Sequence, residues 1–249
     1  MTAPPTVPAL ALDGIVARDA DRELFSGVTL HLAAAECVAV VGANGCGKSL
    51  LLQIAAGLVE PDAGTVALCG RELARLAPEE LTAIRTRLGF AFQAGGLLSN
   101  RTVAANVSLP LRFHARLTDA EIRDRLEQRL RSVGLWDERD RFPAQLSLSQ
   151  RRLSGICRAF MLDPDLVLLD EPLTGLDPHG TAVILEQVEQ LKRRGAALLI
   201  TGSDAAALGS IADRVAVLGG GRIVVAAAPA ELAAHPDPAI RAYFGAAGG

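Results

Sequence analysis

The sequence predicts an α/β domain whose sheet is largely parallel, with a block of helices inserted into it. Three observations carry that expectation. Short apolar runs alternate with helical patterns along the chain, a glycine-rich turn joins one of those runs to a helix, and strand signals stop between Ala94 and Leu162 while helical signals continue.

The apolar runs Cys37 to Val41, Leu88 to Phe92, Asp165 to Leu169, Ala196 to Thr201 and Arg214 to Leu218 have the length and content of core strands. Inside the inserted block, Thr118 followed by Glu121 forms a capping box. Ile122, Leu126, Leu130 and Val133 then recur at helical spacing until Gly134 supplies a stop. Ile184, Val188 and Leu191 mark a further amphipathic helix, closed by Gly195 directly before the run AALLIT. No internal repeat is visible, so the chain holds one set of functional parts.

Composition narrows the class. Of 249 residues, 50% are hydrophobic, enough to bury a core without cross-links. Cys37, Cys46, Cys69 and Cys157 form no CxxC pair and have no histidine spacing suited to zinc, so neither a disulfide framework nor a metal site is indicated, which points to a reducing compartment. A net charge of −3 with interspersed signs offers no surface for nucleic-acid phosphates. The proline-rich start, with no Lys or Arg before its apolar stretch, reads as a flexible leader over 1–11 rather than a signal peptide, and 246–249 as a mobile tail. No apolar run approaches the ~20 residues that cross a bilayer, so another chain would supply any membrane part.

The strongest local signal is Gly42, Ala43, Asn44, Gly45, Cys46, Gly47, Lys48 and Ser49, lying between the apolar run at Cys37 and the helical run that starts at Leu50. This is a P-loop pattern in its proper setting. Its glycines let backbone N–H groups turn toward phosphates, Lys48 reaches the β and γ phosphates, and the Ser49 hydroxyl ligates Mg²⁺. The apolar run ending in Asp170 and Glu171 supplies two carboxylates. Asp170 suits the Mg²⁺ shell, and Glu171 suits polarisation of an attacking water.

In this order, the motifs resemble those of ABC-transporter ATPases over nearly the whole chain, from about Leu24 to Phe244. Phe92-Gln93 is similar to the family's Q-loop, whose glutamine contacts Mg²⁺ and water. The segment Ser147, Leu148, Ser149 and Gln150 stands where the family carries its LSGGQ signature, and Leu173 to Asp177 resembles the D-loop. Each segment also has a purely structural reading: Gln93 as a polar strand end, Ser147 as a helix N-cap, Asp177 as a turn residue before Pro178.

The resemblance implies a P-loop NTPase fold with an antiparallel β portion near the N-terminus. It implies a single ATPase domain over 12–245, with 12–93 and 163–245 as the core and 94–162 as the helical subdomain. It further implies Mg-ATP hydrolysis coupled to transport, a homodimer or a heterodimer with another such ATPase, and transmembrane permease subunits docking around Gln93 to His114. The protein would then sit on the cytoplasmic face of the inner membrane. Within the family, FQAGGLLSNRTVAANVSLPLRFH, SIADRVAVL and HPDPAIRAYF look like the ATPases of Mla- and Mce-type lipid-transport systems. That implies hydrophobic cargo and an Mce-type substrate-binding protein.

Three departures weaken the parallel. Leu148 and Ser149 replace two signature glycines, where the family's backbone approaches the γ-phosphate held by its partner subunit. Ser203 stands at the switch-histidine position, and neither His179 nor His235 fits it. Losing one positioned donor typically costs about 10²–10³ in rate. No aromatic residue between Ile15 and Leu24 can stack on adenine, a contact worth about 1–3 kcal/mol per base elsewhere. Phe25 reads as core. The competing function is therefore a nucleotide-binding structural or regulatory subunit with little turnover. A soluble ABC protein of translation or DNA repair would carry two cassettes or a coiled-coil insertion, and the sequence has neither.

Overall fold

The computed structural model describes residues 7–19 and 22–245. Strand β1 (Leu10–Asp19) pairs with β2 (Arg22–Leu32) as an antiparallel hairpin, after which come β3 (Cys37–Val41) and helix α1 (Lys48–Ala55). A small hairpin, β4 (Ala63–Leu68) and β5 (Arg71–Glu72), precedes α2 (Pro78–Arg85) and β6 (Leu88–Ala91). The inserted block contains α3 (Val103–His114), α4 (Asp119–Arg131) and α5 (Leu148–Ala159) and no strand. The chain then runs through β7 (Leu166–Leu169), α6 (Pro178–Arg193), β8 (Ala197–Gly202), α7 (Ala205–Gly209), β9 (Arg214–Gly219), β10 (Arg222–Ala227), α8 (Pro229–Ala233) and α9 (Pro238–Gly245).

Two sheets result. Strands β2-β1-β4-β5 form an antiparallel sheet, and β10-β9-β3-β8-β7-β6 form a second in which, among the described residues, only β10 with β9 is antiparallel. The fold is the expected P-loop α/β fold with an antiparallel N-terminal portion. All five strands read from apolar runs belong to the second sheet. Strands β3, β7 and β8 are buried at every position because layers cover both faces, which is why they read as unbroken apolar runs.

Leu51, Leu52 and Ile54 of α1 are fully buried together with Val38, Val40, Leu166 and Leu168. Burying each such side chain contributes about 1.5–3 kcal/mol, so α1 and the loop before it are held firmly. Helix α4 carries the capping box expected at Thr118 and Glu121, with Ile122, Leu126 and Leu130 on its buried face. Gly134 and Gly195 both have positive φ, as helix stops require.

The leader expectation needs correction. Strand β1 starts at Leu10, and both Leu10 and Ala11 are buried against β2 and β4, so an extended strand begins where a flexible leader to residue 11 was expected. The remainder of that leader, 1–6, and the tail 246–249 lie outside the described residues. Within the stretch Gln93 to His114, the second half is helix α3, with Thr102 as N-cap. Among the described residues, no helix is long and apolar enough to cross a membrane.

Candidate functional site

Because β6, β7, β8 and β3 are parallel neighbours, the segments leaving their C-terminal ends emerge side by side. Those segments are Gln93 after β6, Asp170 and Glu171 after β7, Gly202 and Ser203 after β8, and Gly42 to Ser49 after β3. Open parallel sheets bind ligands at this edge.

The glycine-rich loop is built around absent side chains. Gly42 is buried, and a Cβ there would meet Leu218 O at 2.5 Å and Cys46 Sγ at 2.8 Å. Gly47 caps α1 with φ +102, and a Cβ on it would lie 2.8 Å from the Phe25 ring. Phe25 is thus a core residue beneath the loop, as its sequence setting suggested. No side chain caps the N-terminus of α1, so its first N–H groups and positive dipole end face outward.

Lys48 is 4% exposed, with Nζ donating to Gly42 O at 3.0 Å and Ala43 O at 3.3 Å. Its charge is paired with Glu171, Nζ to Oε1 at 3.3 Å. Gln93 Nε2 donates to Glu171 Oε2 at 3.1 Å, and Thr174 Oγ1 donates to the same oxygen at 3.0 Å. Lys48, Gln93 and Glu171 therefore form one cluster, although Gln93 and Glu171 lie 78 residues apart.

Glu171 adopts φ +45, an uncommon conformation for a residue with a side chain. Thr201 holds it: its Oγ1 accepts from Glu171 N at 3.0 Å and donates to Asp170 Oδ1 at 2.8 Å. Asp170 is 5% exposed, so this hydroxyl bond partly offsets the cost of burying a carboxylate. Sequence reasoning missed Thr201, which reads only as the end of an apolar run. Its register on β8, one residue beyond the Ile200 that faces Leu169, puts it beside the carboxylates.

Ser147, Gln150 and Asp177 stand apart from this cluster. Ser147 and Gln150 cap α5 reciprocally: Ser147 Oγ accepts from Gln150 N at 3.2 Å, and Gln150 Oε1 accepts from Ser147 N at 2.9 Å. Asp177 caps α6 by accepting from Gly180 N at 2.7 Å. Both structural readings of these positions hold within one chain. Leu148 is 42% exposed beside Gly175, and Ser203 is exposed on a cavity of about 370 Å³ shared with Glu171, Thr174 and Gly175.

All four cysteines are free. Burial pushes the Cys37 and Cys157 thiols up to about 12, which makes them inert, while Cys46 is partly exposed in the loop. Among the described residues no cluster of His, Cys, Asp and Glu forms a self-contained metal site. The donor set of the loop edge, a serine hydroxyl, a glutamine amide and a buried carboxylate, consists of hard oxygen ligands that suit Mg²⁺ shared with a phosphate ligand.

An uncapped helix N-terminus, a buried lysine and a carboxylate at the parallel-strand edge define a P-loop nucleotide-binding fold. The ABC transporter family model matches residues 25–174, and the chain belongs to that family. It is 40% identical over 213 residues to the methionine import ATP-binding protein MetN of Caulobacter vibrioides, covering 85% of this chain and 64% of the relative. It is 39% identical over 215 residues to the corresponding protein of Bordetella pertussis, covering 86% and 59%. The chain thus spans about three fifths of the length of these curated relatives.

Among solved structures, it resembles a dimeric ATP-binding cassette in a post-hydrolysis state bound to ADP and Pi, with TM-score 0.83 and 27% identity, covering 88% of this chain and 98% of that one. It also resembles cbiO1 from Clostridium perfringens, part of the ABC transporter complex cbiONQ, with TM-score 0.78 and 27% identity over 92% and 91%. The family expectation holds. The narrower likeness to Mla- and Mce-type lipid-transport ATPases gains no support, since these sequence relatives are methionine import proteins.

Proposed function

We propose that the chain is the ATP-binding and ATP-hydrolysing subunit of an ABC transporter, acting as a dimer on transmembrane permease subunits at the cytoplasmic face of the membrane. The observation that carries this reading is the buried Lys48, paired with Glu171 beside an uncapped helix N-terminus. Residues 12–93 with 163–245 form the nucleotide-binding core in this reading, extended at its start by the strand from Leu10, and 94–162 form the helical subdomain.

Within the site, the backbone N–H groups of Gly45 to Leu50 surround the phosphates and Lys48 neutralises their charge. Asn44 and Ala43 form the wall of the same loop. Ser49, Gln93 and Asp170 would hold Mg²⁺, which when bound would spread the charge that develops on the transferred phosphoryl group. Glu171 orients a water and accepts its proton while ATP and water become ADP and phosphate. Gln93 and Thr174 steady the Glu171 carboxylate for that task. Ser203 offers a neutral hydroxyl where the family has a histidine, which slows the step. Ser147, Gln150 and Asp177 belong to the face presented to the partner subunit.

For the cargo, similarity to methionine import proteins favours methionine or a related amino acid. The lipid reading and its Mce-type binding protein rest on short segments such as HPDPAIRAYF. The altered Leu148, Ser149 and Ser203 favour the second reading, a nucleotide-binding regulatory subunit with little turnover. Thermal melting with and without Mg-ATP tests the core of the proposal. At about 100 times the Kd, wild-type protein gains ~2.7 kcal/mol of stability, and Lys48→Ala gains none. Equal stabilisation of both proteins would sink the assignment. A measured ATPase rate separates the motor from the regulatory subunit.

A further inference from the structure

Helix α5 is fastened to the loop that follows β6. In mid-helix, Gly155 lies so close to Gly95 that a Cβ on it would collide with the Gly95 carbonyl. An arginine reaches the same loop on either side of that contact. Arg152 Nε donates to Gln93 O at 2.8 Å, and Arg158 donates to Gly96 O at 2.7 Å and to Gly95 O at 3.2 Å. The loop carrying Gln93 is therefore tied to α5 at three points.

The two arginines differ in one respect. Arg152 is 7% exposed, yet its Nη1 is buried with no hydrogen-bond partner. Native structures rarely leave a charged donor so, and each case calls for an acceptor or a function. The atom faces the segment that follows Glu171: a Cβ on Gly175 would lie 3.5 Å from it. Burial lowers the Arg152 pKa, and the nearby Glu171 charge opposes that shift. Lys48 is the one cation that ion-pairs with Glu171 among the described residues, and it is also the group that a phosphate claims.

We propose that Arg152, anchored by its Nε bond to Gln93 O, is a positioning residue that receives the Glu171 carboxylate on its free Nη1 when a phosphate engages Lys48. The inference rests on the nucleotide-site reading above. Arg152 touches no reacting atom in this scheme. It acts by removing a competitor from Lys48 and by holding Glu171 near the water that Glu171 activates. A guanidinium suits the task because its planar fork serves two acceptors at once, which an ammonium cannot do with the same geometry.

The test is a binding cycle, so it does not depend on turnover. Mg-ATP affinity is measured by calorimetry for wild type, Arg152→Gln, Glu171→Gln and the double variant. Arg152→Gln should weaken binding by about tenfold, the size of one charge-assisted hydrogen bond, because Glu171 stays on Lys48 and competes with the phosphate. In the Glu171→Gln background the same change should cost less than about twofold, since the competitor is gone. Arg152→Lys should lose an intermediate amount and serves in the cycle if Arg152→Gln fails to fold. An equal loss in both backgrounds, or no loss in either, overturns the proposal by reducing Arg152 to a scaffold residue. Absence of Mg-ATP binding by the wild type would overturn the nucleotide reading itself, before any Arg152 variant is compared.

Discussion

Two helix N-termini in this protein are the same physical object put to opposite uses. Helix α1 begins after Gly47, whose missing side chain leaves the first N–H groups and the positive dipole end uncommitted. Helix α5 begins after Ser147, and the Ser147–Gln150 box commits two of its donors to the helix itself. The first terminus keeps its free energy of solvation available for an anion. The second has spent part of it on local order and adds the side chains of Leu148 and Ser149 in front. The comparison teaches that a helix start open to an anion is recognised by what its cap position lacks.

The largest expected effect comes from giving the second terminus the openness of the first. Replacing Leu148 and Ser149 by glycine together with Ser203→His should raise ATP turnover by about 10²-fold, the scale of one restored positioned donor, and well above either subset of changes. Adding Glu171→Gln should remove the gain. Steady-state phosphate release measures it. Wild-type turnover that already equals the triple variant would show that these departures are tolerated.

Next in size is the reverse experiment at the first terminus. Gly47→Ala forces a side chain into φ +102 and against the Phe25 ring, which should cost about 1–3 kcal/mol in urea unfolding. An unchanged midpoint would mean that the loop yields without strain, and the account of its rigidity would fail.

Ser147→Ala should cost about 1 kcal/mol of stability by removing a cap. It should leave Mg-ATP binding to the isolated chain unchanged, because Ser147 serves its own helix there. A loss of binding by the monomer would contradict the division of labour between the two termini.

The smallest effect separates the α5 cap from the similar cap on α4. Hydrogen bonds from Thr118 N and Oγ1 hold the Glu121 carboxyl below the ordinary carboxylate range. A depressed folded-state pKa contributes stability that is present above the unfolded value and is lost as pH falls through the folded one. Wild type should therefore lose slightly more stability on acidification than Glu121→Gln, read as the slope of melting temperature between neutral and acidic pH. Gln150→Ala should leave that slope unchanged, since a neutral amide caps α5.

Much of the molecule was legible because local chemistry decides it. The strands β3, β7 and β8 announce themselves as apolar runs, since a strand covered on both faces tolerates little else, and β6 and β9 are read from apolar stretches that are buried only in part. The α4 capping box and the stops at Gly134 and Gly195 were readable because caps and positive-φ positions admit few residue types. The start of β1 was not. Leu10 and Ala11 follow prolines that signal an irregular leader, and only pairing with β2 and β4 makes them strand. The lipid-transport likeness gains no support for a different reason: it rests on short segments, two of which run through the buried core at Val103, Val107, Val215 and Val217, where packing rather than cargo sets the residue type, whereas similarity over most of the chain is to methionine import proteins.

By itself the sequence determined the open start of α1, because a Gly-Lys-Ser junction leaves no side chain at the cap, and it determined the closed start of α5, because Ser and Gln three residues apart satisfy each other. Tertiary structure alone decided that Thr201 and Arg152 join Lys48 and Gln93 near Glu171. Thr201, Arg152, Gln93 and Lys48 come from four separate parts of the chain, and nothing in their neighbours marks Thr201 or Arg152 as special. The strand order β6-β7-β8-β3 and the glycine contact between α5 and the Gln93 loop bring them together, and such long-range register is set by packing of the whole core rather than by any local pattern.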